Sequence, residues 1–229
     1  MSLETYALAA DLYLARGQDV NSSRPLFTGD IFAGVPILGV QDGGMAIIIA
    51  HPCTMRGPQA RMRECVLVAA VREHVPVLRE AWGKGYYGLM PLPELINGRL
   101  HVGQFDELGK ALTVDLTTDK RVACLSEYGV NLLQQRLIWH LTRLEVETFR
   151  IQEAFAHTFE EADLLEEWTD TLSATGVSTV DAAASFESFI RADRGSGRTL
   201  QKDLRDVQRR SAVRVACRNE ARRLSAAST

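Results

Sequence analysis

Six consecutive residues, His51-Pro52-Cys53-Thr54-Met55-Arg56, gather an imidazole, a thiol, a hydroxyl and a guanidinium at the end of an apolar run, Met45–Ala50. An imidazole titrates near neutrality, so His51 is a candidate general acid or base. Arg56 can hold a phosphate, or the developing charge of phosphoryl chemistry, through two parallel N–H bonds, and Thr54 can orient the same group. These three are the candidate catalytic residues. Cys53 is a candidate nucleophile only if an imidazolium stabilises its thiolate; a buried structural thiol is the simpler reading. The same stretch also fits an unreactive loop framed by Pro52 and Gly57.

A second set mixes cations with aromatic rings. Arg61, Arg63, Lys84 and Tyr86, with Arg72 and Tyr87 near them, suit single-stranded nucleic acid, whose bases stack and whose phosphates pair with cations. A solvated rim of charged side chains accounts for them equally. The five histidines and four cysteines form no ligand spacing, so no metal and no cofactor are expected. The glycine-rich stretch Trp82–Tyr87 matches no phosphate-cradling motif.

The elements that must position these groups can be read from periodicity. Leu3, Tyr6, Ala7, Ala10 and Leu14 form a helical stripe, predicting a helix over Leu3–Arg16 with Ser2 as its cap. From residue 28 to about 120 the chain turns to short apolar runs punctuated by Gly and Pro, predicting a small, strongly bent barrel or sheet. Its candidate strands are Asp30–Phe32, Ile37–Val40, Met45–Ala50, Glu64–Val71, Gly88–Pro91 and Ala111–Leu116. Asp42-Gly43 is a candidate hairpin turn. Leucines at 132, 133, 137, 141 and 144 then announce an amphipathic helix, and helical texture continues to the end with breaks at Ser173–Ser178 and Asp193–Gly197. The expected organisation is residues 1–125, a helix plus barrel, and residues 126–229, a helical extension.

Charge divides that extension. Residues 145–170 hold nine acidic side chains against one basic, and residues 191–223 hold eleven basic against four acidic. A basic helix can bind nucleic acid, but near-cancellation favours pairing with the acidic helix, within the chain or across a homodimer, over an apolar seam of Leu164, Leu165, Trp168, Leu200, Leu204 and Val207.

A chain of 229 residues with 46% hydrophobic and 24% charged residues can bury a substantial core, and its net charge of −3 is too small to imply a nucleic-acid or membrane partner. No apolar run approaches the length of a membrane span, and Met1–Gly17 has no basic segment ahead of an apolar core, so no export signal is expected. Scattered cysteines favour free thiols and a cytoplasmic location.

From Thr28 to about Arg143 the order of segments resembles the small barrel of PemK/MazF-type toxins. The resemblance rests on Gly29-Asp30-Ile31-Phe32, the strand Met45–Ala50 with its polar end, Cys65–Val71, Pro91-Leu92-Pro93, Val114-Asp115-Leu116 and Cys124-Leu125-Ser126 before a leucine helix. It implies an α+β chain, with a small SH3-like, PemK-type β-barrel between an N-terminal helix and a C-terminal helical region. It also implies an endoribonuclease that cleaves single-stranded RNA without a metal, through an arginine assisted by hydroxyl or carboxylate groups. The loop that carries this arginine in such toxins is Gln41-Asp42-Gly43-Gly44 here and has none; Arg56 is the nearest replacement. Two readings follow: an RNA-directed barrel of a bacterial toxin–antitoxin or defence system, or a non-catalytic interaction protein that uses the barrel as scaffold and the charged helices for a protein partner.

Overall fold

The computed structural model describes residues 3–41, 44–56 and 62–227, and its chain divides into two compact units. The first comprises Met1–Ser22 with Leu26–Ala154, the second Ser23–Pro25 with Phe155–Thr229. The fold is α+β. The first unit holds a nearly closed antiparallel barrel of seven strands: β1 (Tyr13–Arg16), β2 (Asp30–Ala33), β3 (Met45–Ile48), β4 (Cys65–Glu73), β5 (Leu89–Ile96), β6 (Arg99–Leu112) and β7 (Arg121–Leu125), in spatial order β1-β7-β2-β3-β4-β6-β5.

The β-branched run at the centre sets this order. β3 pairs with β2 through Ile31 and Ile47 and with β4 through Ala69 and Ile47, and it is buried on both faces. Ala46 and Ile48 join Phe32, Val68 and Met55 in one core, while Ile47 points to the opposite face and is equally buried. A strand covered on both sides has no polar alternation, which is why it reads as a continuous apolar run. The barrel's terminal strands, β1 and β5, are joined through side chains: the Tyr13 hydroxyl donates to Pro93 O at 2.8 Å and Arg16 Nη1 to Glu94 O at 2.8 Å. Pro91 and Pro93 lie on β5, an edge where a missing N–H costs no ladder bond.

Several expectations change. The stripe over Leu3–Arg16 becomes a single 3-10 turn, Ala9–Leu12, followed by β1. Tyr13 and Arg16 find partners at Leu125 and Ala123, and this non-local pairing overrides local helical spacing. Ile37–Val40 contributes one bridge, Leu38 to Lys110, rather than a strand. Residues 113–115 turn out of the sheet, whereas β6 extends back to Arg99. Ser2 and the Asp42-Gly43 turn lie outside the described residues.

Helix α1 (Pro52–Met55) is a single turn after β3, and α2 (Glu127–Thr142) packs on β5, β7 and the first 3-10 turn. Ser126 caps α2 by accepting Gly129 N at 3.1 Å, and its hydroxyl donates to Asp11 O. Gly129 allows the close approach, since a Cβ there would lie 2.2 Å from Leu12 O. The leucine helix expected to open the C-terminal extension therefore belongs to the barrel unit, which runs to Ala154.

Helix α3 (Thr148–Ser173) leads into the second unit, formed with α4 (Thr179–Arg191), α5 (Leu200–Asp203) and α6 (Val207–Ala227). The breaks fall at Ser173–Ser178 and Asp193–Gly197, where glycines and polar residues interrupt the helical periodicity. Leu164, Leu165, Trp168, Phe186, Leu204 and Val213 form its core. Of the expected seam, Leu164, Leu165, Trp168, Leu200 and Leu204 are buried and Val207 is 72% exposed. Among the described residues no helix is long and apolar enough to cross a membrane.

Candidate functional site

The polar end of β3 is a capped turn. After Ile48 the chain leaves the ladder, and the hydroxyl of Thr28 fixes it by donating to Ala50 O at 2.6 Å. His51 then stands at the N-cap of α1 with Pro52 at the first helical position, where the missing N–H has no bond to lose. The Nδ1 of His51 accepts the N–H of Cys53 at 3.1 Å, the role an Asp or Ser side chain ordinarily fills. That bond requires a lone pair on Nδ1, so it is made by the tautomer carrying its proton on Nε2. The hydroxyl of Thr54 donates to His51 O at 2.7 Å, closing the same turn. Met55, 1% exposed, anchors the turn in the core, and its carbonyl accepts Arg63 N at 2.8 Å.

His51, Thr54 and Arg56 are thus brought into one loop, and Arg56 sits at a bridge to Met62 with its side chain half-buried. Arg63 is exposed nearby, and its carbonyl accepts the Thr113 hydroxyl. Cys53 is exposed, not buried. A thiol on the first residues of a one-turn helix has no core to enter once Met55 occupies it. Arg61 lies outside the described residues.

Lys84 and Tyr86 form a separate group. Both follow the 3-10 turn Arg79–Gly83, and Tyr86, 44% exposed, sits 5.0 Å from the Trp82 ring and edge-on to His74 at 6.1 Å. His74 directly follows β4, whereas Arg63 precedes it; nine strand residues place the two ends on the order of 25 Å apart. Sequence proximity of the types did not translate into one surface. Arg72 is held by Glu107 at 2.8 Å and by Gln41 O at 2.8 Å, and Tyr87 packs edge-on against Trp139.

The Gly-Asp-Ile opening has a structural task. Gly29 adopts φ +88° with Leu125 and Val130 so close that a Cβ would lie 2.9 Å from each. Asp30 accepts Phe27 N at 3.0 Å and faces Arg121 Nε at 3.6 Å, with both side chains 2% exposed. The Arg121 guanidinium lies 5.5 Å from the Phe32 ring centre.

Arg136 was not singled out by motif, although its place between Leu132, Leu133 and Leu137 puts it on the apolar face of α2. It is fully buried and donates to the carbonyls of Leu89 (3.2 Å), Glu4 (3.3 Å) and Trp82 (3.0 Å). Burial pulls its guanidinium down to about 10, which leaves it charged at neutral pH. The Glu4 carboxylate in turn accepts Thr148 N at 3.0 Å and the Thr148 hydroxyl at 2.6 Å, at the start of α3. Together Glu4 and Arg136 tie the N-terminal segment to α2.

In the second unit the opposite charges meet within one chain. Arg214 pairs with Glu160, Arg218 with Glu167 at 2.8 Å, and Arg24 with Glu166 at 2.7 Å. Burial pushes the Cys217 thiol up to about 11, which removes it as a nucleophile at neutral pH. Among the described residues no group of three or more His, Cys, Asp or Glu side chains could hold a metal ion. No known family model matches the chain, and no curated protein matches it.

Proposed function

We propose that this is a non-catalytic interaction protein, with the barrel as a rigid scaffold and the helical unit as the element that meets a protein partner. The observation that carries this reading is the employment of His51 and Thr54 within their own turn. A general base must direct a lone pair at a substrate proton, and the Nδ1 lone pair of His51 is directed at Cys53 N. The Thr54 hydroxyl proton is likewise spent on His51 O. The basic helix supports the same conclusion, because Arg214 and Arg218 are bonded to carboxylates of α3 rather than arrayed for phosphates. Val207 and Val215, eight residues apart on α6, are both exposed and give a partner an apolar footing.

A single-stranded RNA reading, in its catalytic form a divergent metal-independent endoribonuclease, retains one observation of its own. Tyr86 is a 44% exposed ring tilted against buried Trp82, with Lys84 two residues before it in sequence, residue types that suit one base and one phosphate. The experiment that separates the readings incubates the full chain with labelled single-stranded RNA of mixed sequence in chelator. The interaction reading expects intact RNA from the wild type and from His51→Ala alike. Cleavage that disappears in His51→Ala or Arg56→Ala overturns it.

A further inference from the structure

We propose that the helical unit carries a binding site for a small phosphorylated molecule, in a pocket walled by Arg194, Arg198 and Arg209. The pocket has a volume of about 240 Å³, and its floor is apolar, supplied by Leu200 and Val213. Three arginines and one acidic residue, Asp203, line it.

Asp203 organises the wall rather than cancelling it. Only 8% exposed, its carboxylate accepts Arg198 Nε at 3.1 Å and Nη2 at 3.0 Å, together with Arg209 Nη1 at 2.8 Å. One buried acid thus holds two arginines in place, and each keeps N–H groups that Asp203 does not use. Arg209 also meets Asp206, through Nε at 3.1 Å. Arg194 is different. Among the described residues no carboxylate lies within ion-pair distance of it, and its guanidinium rests over the Phe189 ring at 5.0 Å.

The loop carrying Arg194 and Arg198 is closed on itself. Arg194 N donates to Arg198 O at 2.8 Å, and Asp193 accepts Gly195 N and Gly197 N at 2.8 and 3.1 Å. Ser196 is held at φ +55° between two positive-φ glycines. The nearest loop carboxylate is therefore turned to its own backbone amides, and the excess of positive charge at the pocket remains.

A phosphoryl oxyanion is the complement of this wall, since guanidinium forks match its oxygens in pairs. The apolar floor calls for an organic body attached to it. The volume falls below the ~300–1,000 Å³ of pockets for drug-sized ligands, so that body is small.

The test is calorimetric titration of the full chain with inorganic phosphate, phenyl phosphate and sodium chloride at matched ionic strength. Phenyl phosphate should bind several-fold more tightly than inorganic phosphate, and chloride should give no saturable signal. Arg194→Gln should weaken phenyl phosphate at least fivefold while the far-ultraviolet circular dichroism of the folded chain is retained, since no ion pair is broken at Arg194; Arg194→Lys should fall between. Equal signals from phosphate and chloride, or unaltered binding in Arg194→Gln, overturn the assignment. Displacement of phenyl phosphate by an oligoribonucleotide without terminal phosphates also overturns it, by giving the pocket to a nucleic-acid backbone.

Discussion

The hydroxyl of Tyr13 donates to the carbonyl of Pro93 at 2.8 Å, and with that bond the first and last strands of the barrel face each other. No ladder connects β1 to β5, so closure depends on side chains, with Arg16 reaching Glu94 O as the second tie.

Removing the Tyr13 hydroxyl tests this closure. Tyr13→Phe should cost about 1 kcal/mol of unfolding free energy, the net value of one hydrogen bond, while leaving the core intact. Chemical denaturation at neutral pH measures it.

The same residue predicts an alkaline response. Burial raises the phenols of Tyr6, Tyr13 and Tyr128 above their ordinary 10.0. Above pH 10 the unfolded chain therefore loses tyrosine protons that the folded chain retains, and stability falls as pH rises. Arg136 acts with the opposite sign, since burial lowers its pKa to about 10, and it relieves part of the fall. Unfolding free energy should decline from about pH 10, and the decline should be shallower in Tyr13→Phe.

Gly129 should not tolerate a side chain. A Cβ at this position meets Leu12 O at 2.2 Å, and the obstacle is backbone rather than a movable side-chain end. Gly129→Ala should destabilise by roughly 2–3 kcal/mol, as overpacking does, despite alanine's better helix propensity. Increased amide exchange around Leu12 and Ser126 would locate the damage.

In the helical unit, apolar contacts should outweigh ion pairs. Arg218→Ala removes a bond to the half-exposed Glu167 and should cost about 0–1 kcal/mol. Leu204→Ala empties a fully buried site and should cost roughly 2–5 kcal/mol. A larger loss from Arg218→Ala would mean that charge, not the seam, holds α6 in place.

How much of this was legible in the sequence depends on how local each cause is. β3 was readable because burial on both faces leaves an unbroken apolar run, and β4 because Val68–Val71 are buried on both faces as well. The opposed charges of α3 and α6 were readable because their pairing needs only complementarity. Tyr13–Arg16 was not, because the partner that makes it a strand lies more than a hundred residues away at Ala123–Leu125. β6 was hidden by Gly103 and Gly109 and by Gln104, Asp106 and Glu107, which carry little β propensity on their own. At the candidate site, residue types were visible and their employment was not. The His51 cap follows from the backbone turn that Pro52 and Met55 impose, and the separation of Tyr86 from Arg63 follows from the length of β4.

His51 holds its turn through Nδ1, and the unfolding free energies of His51→Asn and His51→Ala measure that bond. Asparagine keeps a short acceptor at the N-cap and alanine removes it. The predicted result is a loss of about 1 kcal/mol in His51→Ala and wild-type stability, to within a few tenths, in His51→Asn. Equal stability of all three proteins would show that His51 does not hold the turn and would free it for chemistry.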